Sequence, residues 1–287
     1  MNTATAEDGV RENVLDRKDA LKEKVNGMMN VSTVPTVLKK IMDLTGNPNT
    51  VIHDLVKVIE RDQAIAMRVV AASNAAYYGF SGKIRTISQA ILILGFDLVR
   101  GLAITTTVFN SMPSEEKERL LELWAHSFET AQAAALIAQR TGAIEKESAF
   151  LSGLFHDIGR PVLLQVCGND SGISPFDRNT LEDEEKAFGA DHAEVGSWFA
   201  GRFKLPEDGT LAIRYHHKPE ACARPSKLPH MVAIIYLANL IVAGNETSAP
   251  SPDHEGILAS LKLTKEDLAM MGEEIAGFKE TVRSYYI

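Results

Sequence analysis

Apolar residues recur at spacings of three and four through most of the chain, and no segment sustains an alternation of apolar and polar positions. That pattern predicts an all-α protein. The first helix, over roughly 8–29, is charged along its length. "STVP" precedes the next, with Pro35 suited to a first helical turn and Val37, Ile41 and Leu44 forming an apolar stripe. "GNPNT" stops that helix and caps "VIHDLVKVIERD". "QAIAMRVVAASNAAYYG" follows, with Gly79 as its stop, and then "TISQAILILGFDLVRGLAITTTVFNSM", in which Gly95 interrupts a very apolar pair of helices.

From 115 a second helical unit opens with "SEEKERLLELWAHSFETAQAAALIAQRTG" and "EKESAFLSGLFHDIGRPVLLQVC". After the polar loop "GNDSGISPFDRNT", further helices are expected near 180–188, 191–204, 207–217, 228–243 and 264–283. The linker "GNETSAPSPDHEG" precedes the last of these, which "TKED" opens as a capping box. The chain thus divides into a charged extension at 1–29, a helical part at 30–113, a helical core at 114–245, and a linker with a C-terminal helix at 246–287. A length of 287 residues is enough for two modest domains, each with its own core.

A formal net charge of -8 argues against sequence-independent binding to nucleic acid, which needs a basic face. Cys167 and Cys222 lack metal or redox spacing and suit a reducing cytoplasm, each as a small hydrophobe. The N-terminus has no apolar leader, and the run "MVAIIYLANLIVA" at 231–243 falls short of the roughly 20 residues of a membrane span. A cytoplasmic protein with no membrane contact is expected.

The histidines carry the chemistry. His126 shares a face with Leu123, Thr130 and Ile137 and is expected to be buried, where a histidine needs a partner. His156 and Asp157 are neighbours about 100° apart on a helix, so both can reach one ion or bracket two. His192 follows the N-cap Asp191, with Glu194 three residues on, and faces inward with Val195, Phe199 and Phe203. His216 and His217 end a helix halted by Pro219, a position where plain capping competes with ligation. Asn239 lies among Ile235, Tyr236, Leu240 and Val242, where its amide must find a partner or a ligand. His53, His230 and His254 fall in charged or loop surroundings and are read as solvated.

The ordered set His126, His156-Asp157, His192, His216-His217 and Asn239 resembles the H…HD…H…HH…D metal motif of the HD superfamily of helical phosphohydrolases, across about 115–245. The earlier words "RDQAIAMRVVAASNAAYYG" and "ISQAILILGFDLVRGLA" resemble the HDOD domain, an HD-related output domain of bacterial signalling, and extend the likeness over roughly 30–245. Two departures stand out. Gln63 replaces a usual proline and touches only a helix start, whereas Asn239 replaces the motif's last aspartate.

The resemblance implies an HD-like helical bundle with an N-terminal helical subdomain, acting as a signal-transduction module with a protein partner. It implies one or two divalent ions, and a set of five histidines with one carboxylate suits iron, manganese or zinc. A metal-dependent phosphohydrolase acting on a nucleotide or other phosphoester is the alternative. Arg202, Lys204, Arg214 and Lys218 could meet phosphates, although "HHKPEACARPSK" lacks the glycine-tyrosine-proline word of relatives acting on cyclic di-GMP. A helical scaffold whose histidines are all structural is the plain third reading.

Overall fold

The computed structural model describes residues 4–28, 35–74, 83–112, 114–168, 173–177, 180–203, 205–222, 229–243 and 251–276. Among them every regular element is a helix. In chain order these are α1 (Ala4–Met28), α2 (Thr36–Thr45), α3 (Ile52–Ile59), α4 (Gln63–Ser73) and α5 (Ile87–Asn110). There follow α6 (Lys117–Thr141), α7 (Lys146–Phe155), α8 (Gly159–Cys167), α9 (Leu181–Phe188) and α10 (His192–Arg202). The chain continues with α11 (Glu207–Tyr215), α12 (His230–Ala243), α13 (His254–Ser260) and α14 (Lys265–Ala276).

Local chemistry sets the helix ends. The Asp62 carboxylate accepts from the Ile65 N–H to open α4, so Gln63 begins a normally capped helix. Thr264 and Asp267 bond each other's backbone at the start of α14, the expected capping box. The proposed stop at Gly79 and the stretch 277–283 lie outside the described residues. Gly95 has φ 76 and ψ 167 inside α5, so the apolar run bends there as two helical pieces.

Two apolar clusters organise the bundle. One holds Leu38, Ile41, Leu55, Ile59 and Val69 together with Leu98, Leu102, Trp124, Phe150, Phe155 and Phe199, and it joins helices on both sides of residue 114. The other lies under α12, whose Val232, Ile234, Ile235 and Leu237 pack with Ala134, Ile137, Ile257 and Met271. Burying one such side chain contributes about 1.5–3 kcal/mol, which is what fixes the helices that carry polar residues between the clusters.

Three sequence readings change. The linker before α14 contains a short helix, α13, whose Ile257 and Leu258 are buried. His254, read as solvated, is half-buried with Nδ1 3.3 Å from the Tyr236 hydroxyl, and His230 is half-buried at the start of α12. The most span-like helix is α5 rather than 231–243: it is long and apolar enough to cross a bilayer. It bends at Gly95 and packs on α2, α3, α4 and α7, which buries most of that apolar stretch while Leu92 stays exposed.

Candidate metal centre

Helix ends deliver most of the donors to one place. His156 is the C-cap of α7, Asp157 lies in the turn before α8, His192 is the first residue of α10, and His216 is the C-cap of α11. His126 projects from the middle of α6, His217 follows His216, and Asn239 comes from α12. The turn after Asp157 presses on α10: a Cβ built on Gly159 would stand 1.8 Å from the carbonyl oxygen of His192. Only glycine permits that approach, which brings Asp157 against His192.

Asp157 divides the donors into two groups. Its Oδ2 lies 3.5 Å from His156 Nε2 and 3.8 Å from His126 Nε2, and those two nitrogens are 3.2 Å apart. Its Oδ1 lies 3.2 Å from His192 Nε2 and 3.5 Å from His216 Nε2, with His217 Nε2 3.0 Å from His192 Nε2. Within each group all ligand atoms fall within 4.8 Å of one another. Donors about 2.1 Å from one ion stand roughly 3.0 to 3.4 Å apart across octahedral to tetrahedral angles, so the spacings of 3.0 and 3.2 Å fit coordination as they stand and those of 3.5 and 3.8 Å need a small closure. The Asn239 amide is a hydrogen-bond partner of His126 at the edge of the first group.

The imidazoles are oriented for ligation by their other nitrogens. His156 Nδ1 donates to the Gly153 carbonyl at 2.8 Å, and His216 Nδ1 to the Ile213 carbonyl at 2.7 Å. Each bond caps the last turn of a helix and at the same time leaves Nε2 with a free lone pair aimed inward. Capping and ligation are therefore one geometry here. His192 Nδ1 is held instead by a side chain, Glu184 Oε2, at 2.7 Å. His216 Nε2 and Asp157 Oδ1 are both buried with no hydrogen-bond partner among the described residues, although they stand 3.5 Å apart. Two orphaned electron-rich atoms facing one point are what a cation would satisfy.

Charge states point the same way. Burial pushes His156 down to about 3, and burial likewise lowers His126 and, with His216 and His192 beside it, His217. These rings are neutral at pH 7, as metal ligands must be. Burial alone would raise the Asp157 carboxyl, but the Arg160 guanidinium, 3.2 Å away, and His156 hold it well below the usual carboxylate range. For His192, burial and Arg160 oppose the charged form, and the Glu184 and Asp157 carboxylates outweigh them and raise it. Each donor group, His126 with His156 and Asp157, or Asp157 with His192, His216 and His217, could hold a divalent cation, with Asn239 beside the first.

The HDOD domain family matches residues 31–219. The chain belongs to the HDOD family. The match takes in six of the site residues, His126 to His217, and stops before Asn239. An uncharacterized protein of Treponema pallidum (strain Nichols) is 25% identical over 226 residues, covering 74% of this HDOD chain and 42% of that protein. This chain thus spans about two-fifths of that relative's length. An HDOD domain protein of unknown function from Geobacter sulfurreducens has the same fold, with 26% identity, a TM-score of 0.62, and coverage of 96% and 99% of the two chains. A protein provisionally named a phosphohydrolase, from Shewanella amazonensis SB2B, superposes with a TM-score of 0.68 at 22% identity over 93% and 98%.

The structure brings together all seven residues that the HDOD sequence singled out, with one change. His126 was expected to be buried, yet its side chain is 27% exposed. It forms the open edge of the site. Of the four cations offered as phosphate contacts, Arg214 is paired with Asp191 and Glu194 at 3.5 and 3.0 Å, Arg202 and Lys218 are exposed, and Lys204 lies outside the described residues.

Two residues of the HDOD site went unmarked. Glu184 is fully buried and accepts from both the backbone N–H and Nδ1 of His192. Arg160 bonds Asp157, Glu184 at 3.3 Å and the Pro175 carbonyl at 2.7 Å. The sequence "LEDEEKAF" narrows the choice without making it: Glu184 and Glu185 both stand one turn from Leu181 and Phe188, and only the packing of the helix buries Glu184.

Proposed function

We propose that this chain is a regulatory HDOD module whose metal centre serves shape or sensing rather than turnover, and whose output is contact with a protein partner through the helices at 30–110. One observation carries the reading. Asp157 is the sole carboxylate among the described donors, and Arg160 already neutralises much of its charge. Two divalent ions would bring four positive charges to one ligating carboxylate, with Glu184 behind His192 as a further buried negative charge and Asn239 adding none. A single tightly held ion of iron, manganese or zinc suits that balance better than a water-activating pair.

A metal-dependent phosphohydrolase acting on a nucleotide or other phosphoester is the second reading. It is favoured by Asp157, which offers one oxygen to each donor group as a bridging ligand would. The ions would supply an activated water, with His192 and His216 among the ligands that would hold them.

The deciding experiment is elemental analysis of protein purified without chelator or affinity nickel, beside Asp157→Asn, followed by a phosphoester and nucleotide screen. The regulatory reading expects bound metal that is lost in the variant, and no hydrolysis. Hydrolysis that disappears in Asp157→Asn would replace it with the second reading. Metal-free protein even after anaerobic reconstitution would remove both.

A further inference from the structure

The two donor groups differ in what holds them. His156 is anchored by Gly153 of its own helix, and His216 by Ile213 of its own. His192 depends on Glu184, a residue of another helix, which is fully buried and also grips Arg160 at 3.3 Å. The α9–α10 hairpin is therefore the element whose position decides whether His192 faces Asp157.

α1 sits on that hairpin. A Cβ built on Gly189, which has φ 93 at the hairpin turn, would come within 3.0 Å of the Lys18 backbone nitrogen, so helix and turn are in near backbone contact. Leu21 and Val25 are buried at 3% and 1% exposure. Lys18 reaches Glu194 at 2.8 Å, and Lys22 lies over the Trp198 ring at 5.7 Å. The main contacts of α1 are with α8, α9 and α10, the helices around Asp157, Glu184 and His192. α1 lies outside the stretch 31–219 that matches the family.

We infer that Glu184 is a positioning residue for an ion held by Asp157, His192, His216 and His217, and that docking of α1 on the α9–α10 hairpin sets the affinity of that position. The inference rests on the metal-binding reading above. Because coupling between two binding events is reciprocal, an ion at this position must tighten the docking of α1 by the same factor by which docked α1 tightens the ion. The N-terminal helix is then the route by which metal occupancy is reported, or by which a partner that captures α1 releases the ion.

The test uses the full chain, stripped of metal and titrated with zinc against a competing chelator. Glu184→Gln, the double variant Leu21→Ala with Val25→Ala, and Lys18→Glu are compared with wild type. Loss of an outer carboxylate that orients a ligating histidine lowers metal affinity about 10- to 100-fold, and that loss is expected for the tighter zinc in Glu184→Gln and in the double variant. Cobalt(II) bound to Glu184→Gln should show an altered visible spectrum while circular dichroism stays that of wild type. In wild type, zinc should slow amide hydrogen exchange across residues 16–28, and in Glu184→Gln it should not.

If zinc fails to bind wild type, the metal reading itself falls. If zinc binds wild type and all variants equally, the metal reading stands and this inference is overturned. Loss in Glu184→Gln alone, with Lys18→Glu and the double variant unchanged, would overturn the role of α1. Should the double variant fail to fold, Lys18→Glu, which reverses a partly exposed charge against Glu194, carries that arm.

Discussion

Among the described residues, the stretch from α2 to α5 buries the neutral polar side chains of Ser73, Asn74, Thr105 and Thr106, whereas the stretch from α6 to α11 buries, beside the neutral Ser127, Thr130, Gln132 and Ser152, the ionisable Glu129, His156, Asp157, Glu184, His192 and His216. The first set is neutral, and each member bonds backbone close by. Ser73 donates to Val70, Thr105 to Gly101, and Thr106 to Leu102, while Asn74 ties Ile84 through both its N–H and its carbonyl. The ionisable members set the second stretch apart, because Asp157, Glu184 and His192 meet partners from other helices. A neutral hydroxyl satisfied one turn away costs the fold little and does no chemistry. A buried carboxylate or imidazole is tolerated only where several elements converge on it, and that convergence is the site.

The largest expected break in this contrast is Asp157→Ala. It removes the ligand common to both donor groups and takes from Arg160 one of its two buried carboxylates. Breaking such a pair costs about 3–5 kcal/mol, so the metal-free variant should show a much lower denaturation midpoint and bind no metal. Wild-type stability in the metal-free variant would mean that the carboxylate is not paired as described.

Gly159→Ala should come next, at about 3 kcal/mol or somewhat less, because the new methyl meets the His192 carbonyl and backbone must move. Metal binding should fall with it. At Gly201, where nothing lies within 4 Å of an added Cβ, the same exchange should be neutral or slightly stabilising. Asn74→Ala sharpens the contrast from the other side. It leaves the Ile84 N–H and carbonyl without their partner and should cost about 2 kcal/mol, with zinc affinity unchanged.

How much of this could be read in advance depended on whether a single helix's pattern or the packing of several decides the matter. The all-helical class followed from spacing alone, and the break at Gly95 from a glycine inside an apolar run. The closeness of the seven candidate residues was legible because histidines and an amide on apolar faces demand partners, and because their order matched a known motif. Glu184 stayed hidden among the acids of "LEDEEKAF", since which of them is buried is decided by how α9 meets α10. The exposure of His126 likewise depends on where the bundle ends, not on its own helix. Apolar α5 imitates a membrane span because a mostly buried bundle helix and a lipid-facing one share a composition.

Acid should discriminate between the two regions as well, by a smaller amount per unit. In metal-free protein His156 titrates near 3 when folded, against its ordinary value of 6.5. Between those values the unfolded chain binds a proton that the folded chain refuses, so stability falls as pH falls, by about 1.4 kcal/mol per pH unit for each such group. His126 and His217, also lowered, add in the same direction. His192 is raised, so its contribution is complete below 6.5 and is lost as pH rises through its folded value. Asp157 is depressed, and its contribution, present above the ordinary 3.8, is lost only as pH falls through a folded value well below it. Denaturation midpoints of the metal-free protein should therefore decline from pH 6.5 towards 3, and a flat profile would contradict neutral buried imidazoles.

The smallest change tests whether charge is what separates this centre from a two-ion one. Asn239→Asp places a carboxylate beside His126, at the exposed edge of the first group. Without metal the new charge faces Asp157 across the two histidines, so repulsion should cost the fold a fraction of a kcal/mol at this partly solvated edge. With metal it supplies the negative charge that His126, His156 and a shared Asp157 lack, so zinc held by this first group should bind about tenfold more tightly than in wild type, or roughly 1.4 kcal/mol. The tighter equivalent, held through His192, should not move. A second ion gained without any phosphoester hydrolysis would show that occupancy is insufficient and that the architecture around Arg160 and Glu184 is built to hold rather than to turn over. Hydrolysis appearing in Asn239→Asp and absent from wild type would locate the loss of catalysis in that one amide.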